Sequence, residues 1–371
     1  MMRHKTIIQV ILLSLSMSIL TGCKEKAINP EDDIPLFKDF IEANIDKVVD
    51  DPYISSTVKP DDEMYDLMLM LQRGDWSQTT WDEMDSLMKK GVENAKIIYA
   101  RTKIDEIYKR SEATAILTEL MRKGNPYATY WLSSKSNLCL SYLSSEHFGN
   151  KVAKELGLDT SYENKYCTEE IYQKAVEGFK KLAAEGDLRA QYFLLKDQGL
   201  DESVGKREDY IKEVIRFAEA HYYKPLMDYT DSLQMQTNNG FVFRSKELEK
   251  LAFDLFKVAS NNNYIPAMGT VMYYDEDNRE LYERMKKVGG SYYFLAMALD
   301  RADELNNKEK YCHALLYEKL FNDNRYFVYY DDWPNKSDYD ESICNIEKEI
   351  AEMKPMIYID YFTRIDNWGR G

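Results

Sequence analysis

The chain has 371 residues, 44% of them hydrophobic, and a formal net charge of −15. That length can bury a large core and suggests two domains or one extended array. So acidic a surface repels phosphate backbones, and no cluster of Lys and Arg with interleaved aromatics offsets it, which argues against nucleic-acid binding and favours a basic protein partner.

The first element is a basic tip, Arg3, His4 and Lys5, followed by an apolar or small-residue run from Thr6 to Leu20. That run is shorter than the roughly 18 to 20 residues needed to cross a bilayer, and small residues follow it, so it reads as a cleavable export signal. The order Leu20-Thr21-Gly22-Cys23 resembles the lipobox of bacterial lipoproteins. The resemblance implies removal of residues 1–22, acylation of Cys23 and a mature charge of about −17. Lys24, in place of Asp, implies sorting to the outer membrane, facing the periplasm. The membrane contact is then the lipid anchor alone. Residues 23–60 read as a lipidated tether running into a first helix.

From about residue 61 to the end, apolar residues recur at spacings of three and four with few prolines and no sustained alternation, which predicts an all-α chain. A motif repeats within it. LMKKGVENAKIIYA places Gly91, Ala95 and Tyr99 in steps of four. LMRKGNPYATYWL places Gly124, Ala128 and Leu132 likewise, and KLAAEGDLRAQYFL places Gly186, Ala190 and Leu194. Weaker copies put His221, Pro225 and Tyr229, then Asn263, Ala267 and Val271, at the same positions, and a last one centres on Gly289. The intervals run from 26 to 42 residues except one of 62, which suggests an eroded copy around 140–165. Each unit predicts a helix, a left-handed cap at Gly or Asn, and a second helix. Its Ala lets the two helices approach closely. One such hairpin cannot cover its own apolar face and needs neighbours.

These segments resemble the Sel-like repeat, a relative of the tetratricopeptide repeat. The match is closest in AVEGFKKLAAEGDLRAQYFL, residues 175–194, where Ala183, Ala184, Gly186, Ala190, Gln191, Tyr192 and Leu194 fit the family core. The second half of the family unit is degraded, with Gln198, Gly199 and Leu200 its best remnant. The resemblance implies a right-handed α/α solenoid of degenerate repeats, with Tyr192 among the packing residues and a capping region from about residue 301. It also implies a non-catalytic, protein-binding role. Lipoproteins with such repeats include immunity proteins that neutralise type VI secretion effectors, such as lipases or other envelope-attacking toxins. The alternative is an envelope scaffold or signalling adaptor.

An exported chain meets an oxidising compartment, so Cys139, Cys167, Cys312 and Cys344 are expected in two disulfides. Of three connectivities, the nearest-in-sequence pairing, Cys139 with Cys167 and Cys312 with Cys344, is the one expected. No C-x-x-C occurs and His147, His221 and His313 are scattered, so no metal is expected.

No phosphate-binding glycine loop, zinc-protease helix or nucleophile elbow is present. S-x-x-K strings such as those at Ser56 and Ser203 lack the partner motifs of penicillin-recognising enzymes, and DEDNRE lacks the glycine and closing Glu of a calcium loop. No cofactor and no small-molecule substrate are expected. The densest aromatic run, RYFVYYDDWP, ends in Tyr329, Tyr330, Asp331, Asp332 and Trp333. It reads either as a lid over the last apolar face or as an anchor for a basic partner.

Overall fold

The computed structural model describes residues 27–237, 240–275 and 277–360, so the export signal, Cys23 and Trp368 lie outside the described residues. The chain is mostly helical. Eighteen α-helices and one two-stranded hairpin lie among the described residues. No helix among them is long and apolar enough to cross a membrane.

Helix α1 (Ile34–Asn44) and α2 (Tyr65–Gln72) precede a succession of helical hairpins. The first pairs α3 (Gln78–Lys90) with α4 (Glu93–Lys103), the second α5 (Arg110–Arg122) with α6 (Pro126–Trp131). After α7 (Phe148–Glu155) come α8 (Glu169–Ala184) with α9 (Leu188–Asp197), then α10 (Arg207–Glu219) with α11 (Lys224–Ser232). Further on, α12 (Lys246–Asn261) pairs with α13 (Ile265–Tyr274) and α14 (Arg279–Lys287) with α15 (Tyr292–Leu299). Helix α16 (Asn307–Phe321), short α17 (Arg325–Val328) and α18 (Ile346–Glu352) end the series.

The turns explain why the helices stop where they do. Gly91, Gly124, Gly186, His221, Asn263 and Gly289 all take positive φ, between 59° and 98°. In each case the next residue's N–H bonds back to a carbonyl five residues earlier, as in Val92 to Leu87 and Tyr222 to Phe217. That bond closes the helix end and aims the chain into its partner helix. Ala95, Ala128, Ala190 and Ala267 follow, each fully buried where the two helices of a hairpin meet. Close approach also occurs between hairpins. A Cβ on Gly178, in mid-α8, would lie 2.7 Å from the Cβ of Pro126 on α6.

Three features lie outside what the sequence indicated. The first helix expected within residues 23–60 is present as α1, and the described residues around it pack onto the body of the fold. Phe37 of α1 is fully buried against α10 and α12, and Asp33 is buried in an ion pair with Arg207. The segment after α1 is then held by the α12–α13 turn: Val49 N–H donates to Asn261 O at 2.9 Å, and Asn263 Nδ2 donates to the carbonyls of Val49 and Asp51. Second, Gln234–Thr237 and Gly240–Phe243 pair antiparallel, a hairpin of two four-residue strands too short and too exposed to register as alternation. Third, residues 355–360, outside any helix or strand, run back beside α2. Gln72 Nε2 donates to Met356 O at 2.9 Å while its Oε1 accepts from Tyr358 N–H at 2.8 Å. Ile357 and Ile359 are buried in the core cluster that holds Met64, Leu67 and Met84.

Two disulfides are formed, Cys139–Cys167 and Cys312–Cys344, with S–S distances of 2.00 and 1.98 Å. The first ties the segment between α6 and α7 to the start of α8. The second ties α16 to the stretch leading into α18.

Candidate binding groove

The second helices of four consecutive hairpins, α4, α6, α9 and α11, line a chain of three joined cavities. The first, about 780 Å³, lies between the end of α4, the end of α6 and the segment held by Cys139–Cys167. Three of the chain's five tryptophans, Trp76, Trp81 and Trp131, stand in its wall. Trp76 and Trp81 lean together with ring centroids 5.6 Å apart, and Tyr130 meets Trp131 edge to face at 5.2 Å. Cations lie over the indoles, with Lys103 Nζ 4.1 Å from the Trp81 ring centre and Arg101 Cζ 4.1 Å from that of Trp131. Such placement holds a charged group at an apolar wall with partial compensation from the ring quadrupole.

The opposite wall is unusual backbone. Cys139–Leu143 forms a single π-helical turn and brings Tyr142 to the cavity beside Leu138 and Lys135. Such turns are uncommon and frequent at functional sites. The segment is anchored by Cys139, by Cys167 N–H donating to Leu132 O at 2.8 Å, and by Ser134 N–H donating to Thr168 O.

Tyr130 and Lys135 belong to both the first cavity and a second of about 490 Å³. There Tyr192 hydroxyl donates to Asp228 Oδ2 at 2.6 Å, Tyr172 hydroxyl donates to Asp197, and Tyr222 hydroxyl donates to Asp360 Oδ2 at 3.2 Å. Burial, with Asp228 alongside, holds the Tyr192 phenol protonated far above its usual range. Burial likewise raises Tyr172, with Asp197 adding to it. A third cavity of about 360 Å³ continues past Lys196 and Asp228 toward Arg207 and Arg244. The lining of all three holds eight Lys or Arg and six Asp or Glu, in a chain whose net charge is −15. The acid excess is therefore carried by the remainder of the molecule.

Tyr192, expected in repeat packing, is buried against α10 and stands with its hydroxyl in the groove wall. Trp76, Trp81, Arg101, Lys135 and Arg189 were not marked by the sequence. The one available signal was the collection of tryptophans in hairpins carrying the clear motif. The aromatic run near the end of the chain divides. Tyr326 and Trp333 are buried in a ring cluster around His313. Tyr330 packs against both and is half-buried. Tyr329, 78% exposed, faces solvent with Asp331 and Asp332, the latter 3.4 Å from Lys310 Nζ. Ser56, in one S-x-x-K string, donates to Val58 O at 2.6 Å and accepts from Ile357 N–H at 2.9 Å, so its hydroxyl is used in the backbone of the fold. Among the described residues no group of three His, Cys, Asp or Glu side chains is placed to hold a metal ion.

Comparison with protein-family models, with curated proteins and with solved structures finds no match to this chain.

Proposed function

We propose that this protein is a non-catalytic, periplasm-facing lipoprotein that binds a protein partner. In this reading it is held at the outer membrane through Cys23, and its hairpins form a right-handed α/α solenoid of degenerate Sel-like repeats. The partner is most specifically a type VI secretion effector, a lipase or another envelope-attacking toxin, which the protein neutralises as its immunity protein. The observation that carries the reading is the groove. Three neighbouring cavities that share wall residues along the second helices of four hairpins are rich in Trp, Tyr and Arg, the side chains that dominate protein–protein hot spots. The acid excess outside the groove supports fast encounter with a basic protein.

The test is titration calorimetry of the full-length lipidated protein, purified in detergent, with the product of the adjacent gene. A nanomolar to low-micromolar complex that abolishes that product's activity on its substrate is the expected result. Absence of binding, or binding without inhibition, overturns the immunity reading. For the anchor, Cys23→Ser should move the protein out of the outer-membrane fraction, and unchanged fractionation refutes it.

A further inference from the structure

The groove differs in sign from the rest of the molecule, and that difference bears on what enters it. We infer that it receives an extended, acidic stretch of polypeptide, in which carboxylates alternate with bulky apolar side chains. The inference rests on the protein-binding reading and adds the chemistry of the bound segment.

Shape is the first argument. The cavities of about 780, 490 and 360 Å³ join in series, the first two through Tyr130 and Lys135, the last two through Lys196 and Asp228. A compact ligand fills one pocket of about 300–1,000 Å³, whereas a chain at ~3.3 Å per residue can lie across several. Charge is the second. Eight cations against six carboxylates in the lining stand out in a protein of −15. Many of the groove cations already have protein partners, as Arg189 has Asp187 and Lys224 has Asp228. Lys135 and Arg244 are in no ion pair among the described residues. Lys135 is exposed at the junction of the first two cavities. A carboxylate crossing that junction would find an exposed ammonium that lies 5.9 Å from the Tyr172 ring centre and is in no direct ion pair.

The third argument is the wall itself. Lys103, paired with Glu106 at 2.6 Å, and the buried Arg101 lie on the faces of Trp81 and Trp131, so this wall sets polar groups beside aromatic faces on which an apolar side chain would pack. A carboxylate one residue from a large apolar group satisfies both features within one span of extended chain. The encounter of two proteins then uses both signs: an acidic exterior draws in a basic partner, and an acidic segment of that partner is seated in the groove.

The experiment is fluorescence anisotropy with the full-length protein and two fluorescein-labelled decapeptides, one alternating Glu with Phe, the other alternating Lys with Phe. The Glu peptide should bind at least about tenfold more tightly than the Lys peptide. Lys135→Glu should weaken it by about tenfold or more while leaving the circular dichroism and melting temperature unchanged, since Lys135 is exposed and in no direct ion pair. Phe241→Ala, in the exposed β-hairpin outside all three cavities, should leave binding within about twofold. Equal binding of the two peptides, or a Lys135→Glu variant that binds as before, overturns the inference. So does a labelled ten-nucleotide oligo-dT that binds as well as the Glu peptide, which would make the groove a general anion site. Binding of the Glu peptide only after deletion of residues 361–371 also overturns it, assigning the groove to the chain's own last segment. The outcomes are separable from those above. An effector complex unaffected by Lys135→Glu removes this inference and leaves the protein-binding function standing. Selective peptide binding with an inert adjacent gene product keeps this inference and removes the immunity reading.

Discussion

Asp33 is fully buried, and no pattern in PEDDIP distinguishes it from Glu31 and Asp32 beside it. Its carboxylate accepts from Arg207 Nε and Nη2, at 3.1 and 2.7 Å, and from Tyr229 hydroxyl at 3.1 Å. Removing one partner of a buried pair leaves the other charge uncompensated. Asp33→Ala should therefore cost about 3–5 kcal/mol in urea unfolding, whereas Asp32→Ala, exposed, should stay within about 0.5 kcal/mol. The left-handed turn residues allow a second comparison. His221 sits at φ 59°, a conformation an L-residue with a Cβ adopts at a cost. His221→Gly should stabilise the fold by roughly 1 kcal/mol. Asn263 has almost the same φ, 60°, yet its side chain donates to Val49 O and Asp51 O and accepts from Arg284. Asn263→Gly should lose about 1–3 kcal/mol, because those buried groups are left unsatisfied. Thermal melts of the two variants should move in opposite directions. These residues show what was legible locally. The turn positions followed from Gly and Asn spacing, while the roles of Asp33 and Asn263 depend on residues 174 and up to 214 positions away.

At the scale of elements, the segment between α6 and α8 is long and largely irregular, and it forms one wall of the first cavity. Its only covalent support is Cys139–Cys167, which closes a loop with a sequence separation of 28. A loop of that size loses about 3–4 kcal/mol of unfolded-state entropy when cross-linked. The double variant Cys139→Ala with Cys167→Ala should lower stability by about 2–4 kcal/mol. It should also weaken any groove ligand, because Lys135, Leu138 and Tyr142 are carried on that segment. Calorimetric melting and peptide anisotropy on the same sample check the two effects. The element around α16 gives a pH prediction. His313 Nε2–H donates to Phe294 O at 3.2 Å, and burial among Phe294, Tyr326 and Trp333 lowers its pKa to about 4. An unfolded histidine titrates near 6.5, so between about pH 6.5 and 4 the unfolded chain binds the proton and the folded one does not. Stability from this site is thus complete above about 6.5 and is lost as pH falls toward 4, a total of about 3 kcal/mol. His313→Phe should flatten that part of the stability-versus-pH curve in urea titrations. The same cluster explains why RYFVYYDDWP divides: the rings that reach His313 form a lid, and Tyr329 with its neighbouring acids remains outside.

Across the whole molecule, both ends of the described chain are tied to distant segments. Residues 45–55 contact the α12–α13 turn, and residues 356–359 meet Thr57 and α2, so segments about 300 positions apart share one small core. Gln72 is the polar centre of that seam, bonded through both side-chain heteroatoms to the backbone of Met356 and Tyr358. Gln72→Ala leaves buried backbone groups without partners and should cost about 1–3 kcal/mol. Hydrogen exchange should report the loss at residues 56–72 and 356–359 together. Protection lost on only one side would show that the seam does not act as a unit.

Helical class, the places where helices turn and the small residues that let them approach were determined by the sequence alone. Each depends on a local property: period, a left-handed cap, or the volume of one side chain. The groove, the buried Asp33–Arg207 pair and the return of residues 355–360 to α2 were decided only in three dimensions. They join side chains from separate hairpins, and apolar periodicity records which face of a helix is buried, not which distant segment covers it. Trp131 is a core residue whose ring also borders the first cavity; only the packing of α3, α6 and the turn before α3 brings Trp76 and Trp81 to the same wall.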